Sequence, residues 1–164
     1  MNIGKISKQN IGNAGEFYLA SILSAKNFVV TVTLGRNEGY DLLAVNPKGK
    51  AVKISVKARN MKDIKRFPIN SRCENISSDD LFYAFVRLNE FQKEPDFWIV
   101  PSKIVCNVIK NSHAKWMATP NKKGGKHNDG DLRNFWLIQD KHYPKNWDKT
   151  LKKYYKNINI IENF

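Results

Sequence analysis

Gly39-Tyr40-Asp41-Leu42-Leu43-Ala44-Val45-Asn46-Pro47-Lys48-Gly49-Lys50-Ala51-Val52-Lys53-Ile54-Ser55-Val56-Lys57 holds two strands and the turn between them. Tyr40 to Val45 is apolar and short enough for a strand, and Asn46-Pro47-Lys48-Gly49 is a strong turn signal. After the turn, Val52, Ile54 and Val56 alternate with Lys53, Ser55 and Lys57, the period of a strand with one buried face. Ser55 and Lys57 therefore share the opposite face. A hairpin through Asn46 to Gly49 sets Asp41 beside the Ser55–Lys57 segment, so an acid and an ammonium group meet at one end of the sheet.

Upstream, Phe28 to Leu34 is β-branched and strand-like and ends in the turn-rich segment 35–39. Asn13 to Ala25 reads as a helix with Phe17, Ala20 and Leu23 on one side, supported by Leu19 and Ile22. Asn13 is a plausible cap, with Glu16 three residues on as its capping-box partner. That arrangement would give Glu16 a purely structural role; packed across the end of the sheet, it would instead face Asp41.

Downstream, Arg59 to Asp80 is polar and basic, which suits a functional loop or a loop with a short helix. Leu81 to Leu88 reads as an interior strand and Phe97 to Val100 as a shorter one. Ser102 is placed to cap a helix carrying Ile104, Val105, Val108 and Ile109. The segment 121–131, with Gly124-Gly125 and Asp129-Gly130, must be an exposed loop. Trp147, Leu151, Tyr154 and Ile158 then follow the spacing of one helical stripe. A helix, a three-strand meander, further strands and closing helices make an α+β (mixed α/β) fold, expected as one domain over residues 1–164.

Composition narrows the function. The 164 residues carry a net charge of +13, and Lys and Arg outnumber Asp and Glu in every segment, most of all after residue 110. Aromatic residues are interleaved with the lysines, unlike a disordered basic arm, so an anionic partner is expected. An acidic protein or membrane surface would satisfy the charge as well as nucleic acid, and Lys145 to Lys156 is basic enough for either. No apolar run reaches the roughly 20 residues of a membrane span, and residues 1–13 are polar, so the expected compartment is the cytoplasm. Cys73 and Cys106 make no disulfide framework, and His113, His127 and His142 lack metal-site spacing. Neither a P-loop nor a Gly-x-Gly-x-x-Gly run is present.

The runs Gly12-Asn13-Ala14-Gly15-Glu16, Gly39-Tyr40-Asp41-Leu42-Leu43 and Ile54-Ser55-Val56-Lys57 together resemble the PD-(D/E)XK nuclease-like superfamily, in particular a group of small uncharacterised bacterial members. Phe85-Val86-Arg87-Leu88-Asn89, Asp96 to Ser102, Trp116 and Asn146-Trp147 extend the resemblance over most of the chain. It implies a restriction-endonuclease-like core, a central mixed β-sheet flanked by helices, and hydrolysis of DNA phosphodiester bonds. Asp41 would be the central metal ligand, Glu16 a helix-borne second ligand, and Lys57 the motif lysine that orients water or stabilises phosphate charge. The implied metal is Mg²⁺, or Mn²⁺ in its place; Mg²⁺ needs only one or two carboxylates because it keeps several waters. Ser55 departs from the pattern, which has Glu, Asp or Gln two residues before the lysine. The same fold without hydrolysis, binding DNA or a partner protein, is the alternative.

Arg59, Lys62, Lys65, Arg66 and Arg72 follow the expected site directly. With Lys122, Lys123 and Lys126 of the glycine loop, they are expected to flank the substrate channel and contact phosphates. A nuclease that cuts both strands is most simply built as a homodimer, by analogy.

Overall fold

The computed structural model describes residues 6–33 and 39–164. The chain runs α1 (Lys8–Ser24), β1 (Val29–Val32), β2 (Leu42–Val45), β3 (Ala51–Arg59), β4 (Arg66–Asn70), a 3-10 helix (Ser71–Glu74), β5 (Leu81–Arg87) and β6 (Asp96–Pro101). It continues with α2 (Ser102–Met117), β7 (Leu132–Trp136), α3 (Trp147–Lys152) and α4 (Asn159–Glu162). Strands pair in the order β1-β2-β3-β5-β6, and β4 pairs with β7 as a separate two-stranded ribbon. β1, β2 and β3 form the expected antiparallel meander, β3 and β5 are parallel, and β5 and β6 are antiparallel. The sheet is mixed and flanked by helices, an α+β architecture as expected.

β5 explains the layering. Phe82, Ala84 and Val86 point into one core with Leu19, Leu23, Ile54, Ile99 and Ile161. Tyr83 and Phe85, on the alternate face, join a second core with Phe67, Phe135, Trp147 and Leu151. A strand covered on both sides must be a near-continuous apolar run, as Leu81 to Val86 is. Thus α1 and α4 cover one face of the sheet, while α2, α3 and the ribbon cover the other. The outer edge of β6 is paired with the segment following α3, through Tyr154, Tyr155 and Lys156.

Several expectations are corrected. Helix α1 starts earlier than Asn13, capped by the Ser7 hydroxyl, which accepts from the Asn10 amide at 3.1 Å. Asn13 is mid-helix and bonds Gln9, so Glu16 belongs to no capping box. The buried stripe of α1 is Gly15, Leu19 and Leu23, spaced at i, i+4, whereas Phe17 faces out. Ser102 does not cap α2; its hydroxyl exchanges hydrogen bonds with the Ser78 amide and carbonyl, tying down the loop before β5. The stretch 59–80 contains the short helix allowed for it, the 3-10 turn Ser71–Glu74, but also a strand that was not expected, because Phe67 and Ile69 alternate inward to make β4. Strand β7 follows the glycine loop and was not anticipated. The stripe from Trp147 to Ile158 is not one helix: α3 ends at Lys152, the chain turns through Lys156, where φ is 48°, and α4 begins only at Asn159, so Trp147, Leu151 and Tyr154 enter one core and Ile158 the other. Of the turn expected over 35–39, residues 35–38 lie outside the described residues.

Candidate active site

The hairpin places Asp41. Gly49 takes a positive φ of 81° in the turn, and the Asn46 side chain accepts from the Lys48 and Lys50 amides. This register sets Leu42 opposite Ile54. Asp41, one residue earlier, donates its amide to the Ile54 carbonyl at 2.9 Å, and its carbonyl accepts from the Thr33 amide. The backbone of Asp41 is therefore held from both neighbouring strands.

Its carboxylate turns onto β3. Asp41 Oδ2 accepts from the Val56 amide at 2.6 Å and from the Ser55 hydroxyl at 3.3 Å. Lys57 Nζ lies 3.7 Å from the same oxygen, and donates to Ser55 Oγ at 2.9 Å and to the Val56 carbonyl at 3.1 Å. Asp41, Ser55 and Lys57 are thus one hydrogen-bonded unit, as the strand period implies. The Lys57 and Asp41 side chains are each about one-third exposed, while Ser55 is buried.

Glu16 reaches this unit from α1. A methyl added at Gly15 would overlap the Ala58 β-carbon, so the helix lies directly on the end of β3. Burial raises the Glu16 carboxyl above its ordinary value, the Asp41 charge adds to the rise, and Lys57 opposes it. Two carboxylates and one ammonium group thus lie within electrostatic range of one another.

The donor set fits Mg²⁺ sparingly. Among the described residues, no three His, Cys, Asp or Glu side chains are grouped to hold a metal. Glu16 and Asp41 supply two carboxylates, and Ser55, two residues before Lys57, supplies a neutral oxygen in place of a third. That number suffices for an ion that keeps most of its waters.

Asp41, Ser55 and Lys57 open into a cleft of about 160 Å³ lined also by Tyr40, Ile69, Asn70, Arg72, Cys73 and Tyr83. The 3-10 helix after β4 carries Arg72 and Cys73 into it; Asn70 Oδ1 accepts from the Arg72 amide at 3.0 Å and starts that turn. Burial pushes the Cys73 thiol up to about 12, so it stays protonated and is no nucleophile at neutral pH. Asn70, Cys73 and Tyr83 were missed as site residues. The inward period of Phe67 and Ile69 was the signal for the first two.

The expected phosphate contacts divide. Arg72 lines the cleft, and Arg66 stands exposed on β4, stacked 5.1 Å over the Trp136 ring. Arg59, at the end of β3, donates to the Arg66 carbonyl at 3.5 Å. Lys62 pairs with Glu90 at 3.5 Å, and Lys65 is exposed just before β4. Lys122, Lys123 and Lys126 are exposed on a loop held by Asn121, whose side chain bonds the backbone of Lys123, Gly125 and Lys126. Lys126 edges a separate hollow with Met117 and Thr119, away from the Asp41 cleft.

No family model and no curated protein matches the chain. Among solved structures it is similar to a bacterial homing endonuclease, I-Ssp6803I, with a TM-score of 0.54 at 13 % identity. The likeness covers 97 % of this chain and 94 % of that one. At this identity what is shared is the fold, a nuclease fold, over nearly the whole length of both chains. Among the described residues, no helix is long and apolar enough to cross a membrane.

Proposed function

We propose that the chain is a DNA-binding endonuclease of PD-(D/E)XK type that hydrolyses phosphodiester bonds with Mg²⁺. The observation that carries this reading is that Asp41 and Lys57 meet at 3.7 Å in one open cleft, with Glu16 of α1 near enough to feel both charges. The shared fold with a homing endonuclease supports it, as does the +13 charge. Asp41 and Glu16 would hold the metal, which supplies Lewis acidity at the scissile phosphate and a more acidic water. Lys57, held by Ser55 and the Val56 carbonyl, presents its ammonium protons to a non-bridging phosphate oxygen or the attacking water. Ser55 fixes the lysine and the aspartate relative to one another. Arg72 at the cleft mouth would receive a flanking phosphate.

A second reading, a DNA-binding module of the same fold without hydrolysis, is favoured by one observation. Asp41 Oδ2 is already engaged by Val56, Ser55 and Lys57, and Ser55 brings no charge to compete for a cation. The test is incubation with duplex DNA in Mg²⁺ or Mn²⁺, for the wild type and Asp41→Asn. Cleavage that Asp41→Asn removes supports the endonuclease; intact DNA that stays bound supports the second reading.

A further inference from the structure

The β4–β7 ribbon has one face in the core and one in solvent. Phe67, Ile69, Arg133 and Phe135 point inward, and Arg133 is tied to Glu74. The outward residues form three cross-strand pairs: Arg66 with Trp136, Pro68 with Asn134, and Asn70 with Leu132. This face is not that of an idle surface strand. Leu132 is 66 % exposed, Arg66 is spread over the half-buried Trp136, the half-buried Asn134 side chain has no hydrogen-bond partner among the described residues, and all four edge an open hollow of about 470 Å³ bounded on its far side by His113 and Trp116 of α2.

The dimensions match a DNA groove. Two strands about 4.8 Å apart, with their side chains, fit the roughly 12 Å major groove of B-DNA. From Arg66 to Asn70 a strand advances about 14 Å, or roughly four base-pair steps. The chemistry also matches: Arg offers the bidentate fork for guanine, Asn the donor–acceptor pair for adenine, and an exposed aliphatic side chain packs on the thymine methyl. The Trp136 ring fixes the plane of the Arg66 fork before any ligand arrives. Asn70 is occupied with the Arg72 amide, so it positions the turn rather than reading a base. The ribbon runs directly into the candidate active site, since Ile69, Asn70 and Arg72 line the Asp41 cleft.

We propose that the outward face of the β4–β7 ribbon enters the major groove of duplex DNA and reads base edges through Arg66, Asn134 and Leu132. The proposal rests on the DNA-binding reading above and adds sequence selectivity and a preference for DNA over duplex RNA. The major groove of A-form RNA is too deep and narrow for such a ribbon.

The test is selection of bound duplexes from a pool with a randomised core, in chelator so that nothing is cut. Wild type, Arg66→Ala, Arg66→Lys and Asn134→Ala are compared, with duplex RNA as competitor. The wild type is expected to enrich a motif. Arg66→Ala and Arg66→Lys should each lose a preference of roughly 5- to 100-fold at one position. Asn134→Ala should lose one about two base pairs away, the rise of two strand residues. Arg66→Lys keeps the charge and removes the fork, so a preference lost in both variants is a loss of the fork, and thermal melts alongside the selection show that each variant is folded. Wild type that binds every duplex alike, variants that enrich the unchanged motif, or duplex RNA that competes as well as DNA would each overturn the proposal and leave DNA binding standing. Wild type that retains no duplex at all overturns the DNA-binding reading and this proposal together.

Discussion

Gly15 of α1 lies against Ala58 of β3 so closely that no side chain fits between them. That contact sets the height of the helix over the sheet and so carries the next residue, Glu16, to the Asp41–Lys57 cluster. Gly15→Ala is expected to destabilise by about 1–3 kcal/mol through overpacking, outweighing the ~1 kcal/mol of helix propensity it gains. Gly12, on the same helix, has open space around its missing β-carbon. Gly12→Ala should therefore stabilise by roughly 0.5–1 kcal/mol. Urea midpoints of the two variants, moving in opposite directions, check the account.

Glu16 should trade stability for function. Its carboxyl is raised above the ordinary 4.5, so the folded state holds that proton more tightly than the unfolded chain does. Stability from this group is complete below 4.5 and is lost as pH rises through the folded value. Glu16→Gln is expected to raise the melting temperature at pH 7 and to lose that advantage in acid below the ordinary glutamate range. Thermal melts across that range give the sign.

Asp96 works in the opposite sense. Burial alone would raise its pKa, but hydrogen bonds from Tyr155, Asn89 and Arg87 prevail and bring it down to about 2. Arg87 donates twice to Oδ2, at 2.7 and 3.0 Å, and Asn89 once at 2.9 Å. The stability this group contributes is present above 3.8 and disappears as pH falls toward about 2. Asp96→Asn should cost about 2–4 kcal/mol at neutral pH, because Arg87 is left without its counter-charge. The difference from wild type should shrink as pH falls through that same window, measured by denaturant unfolding.

Ser55→Asp tests the meaning of the serine that departs from the pattern of the superfamily the sequence resembles. A third carboxylate beside Asp41 and Glu16 should lower the Mg²⁺ concentration for half-maximal cleavage, since affinity rises with the charge of the ligand set. Without metal, the same change should lower the melting temperature, because another buried acid joins two that already repel. A metal titration of cleavage and a melt in chelator read the two effects separately.

The site was legible where chemistry and strand period coincide. Asp41, Ser55 and Lys57 lie within one hairpin, so the turn and the alternation were enough to bring them together. The mixed sheet was legible for the same reason, since Leu81 to Val86 has no polar residue to spare for solvent. Strand β4 was hidden because Pro68 and two flanking basic residues suggest a loop; the proline is tolerated because β4 pairs with a strand on one side only, β7. Strand β7 was hidden because its buried positions include Arg133, whose charge is matched by Asp129 at 3.3 Å and by the distant Glu74. The end of the chain misled because its stripe of Trp147, Leu151, Tyr154 and Ile158 has helical spacing but serves two cores on opposite faces of the sheet.

The most direct test is single-turnover cleavage of a supercoiled plasmid with the protein in excess. Wild type in Mg²⁺ is expected to nick or linearise the plasmid, and chelator should abolish the reaction. Asp41→Asn should slow it by roughly 10²–10³-fold or more while leaving binding in place, and Lys57→Ala should impair it similarly. Plasmid that remains intact in both Mg²⁺ and Mn²⁺ while bound by wild type, or an Asp41→Asn protein that cuts as fast as wild type, would contradict the assignment.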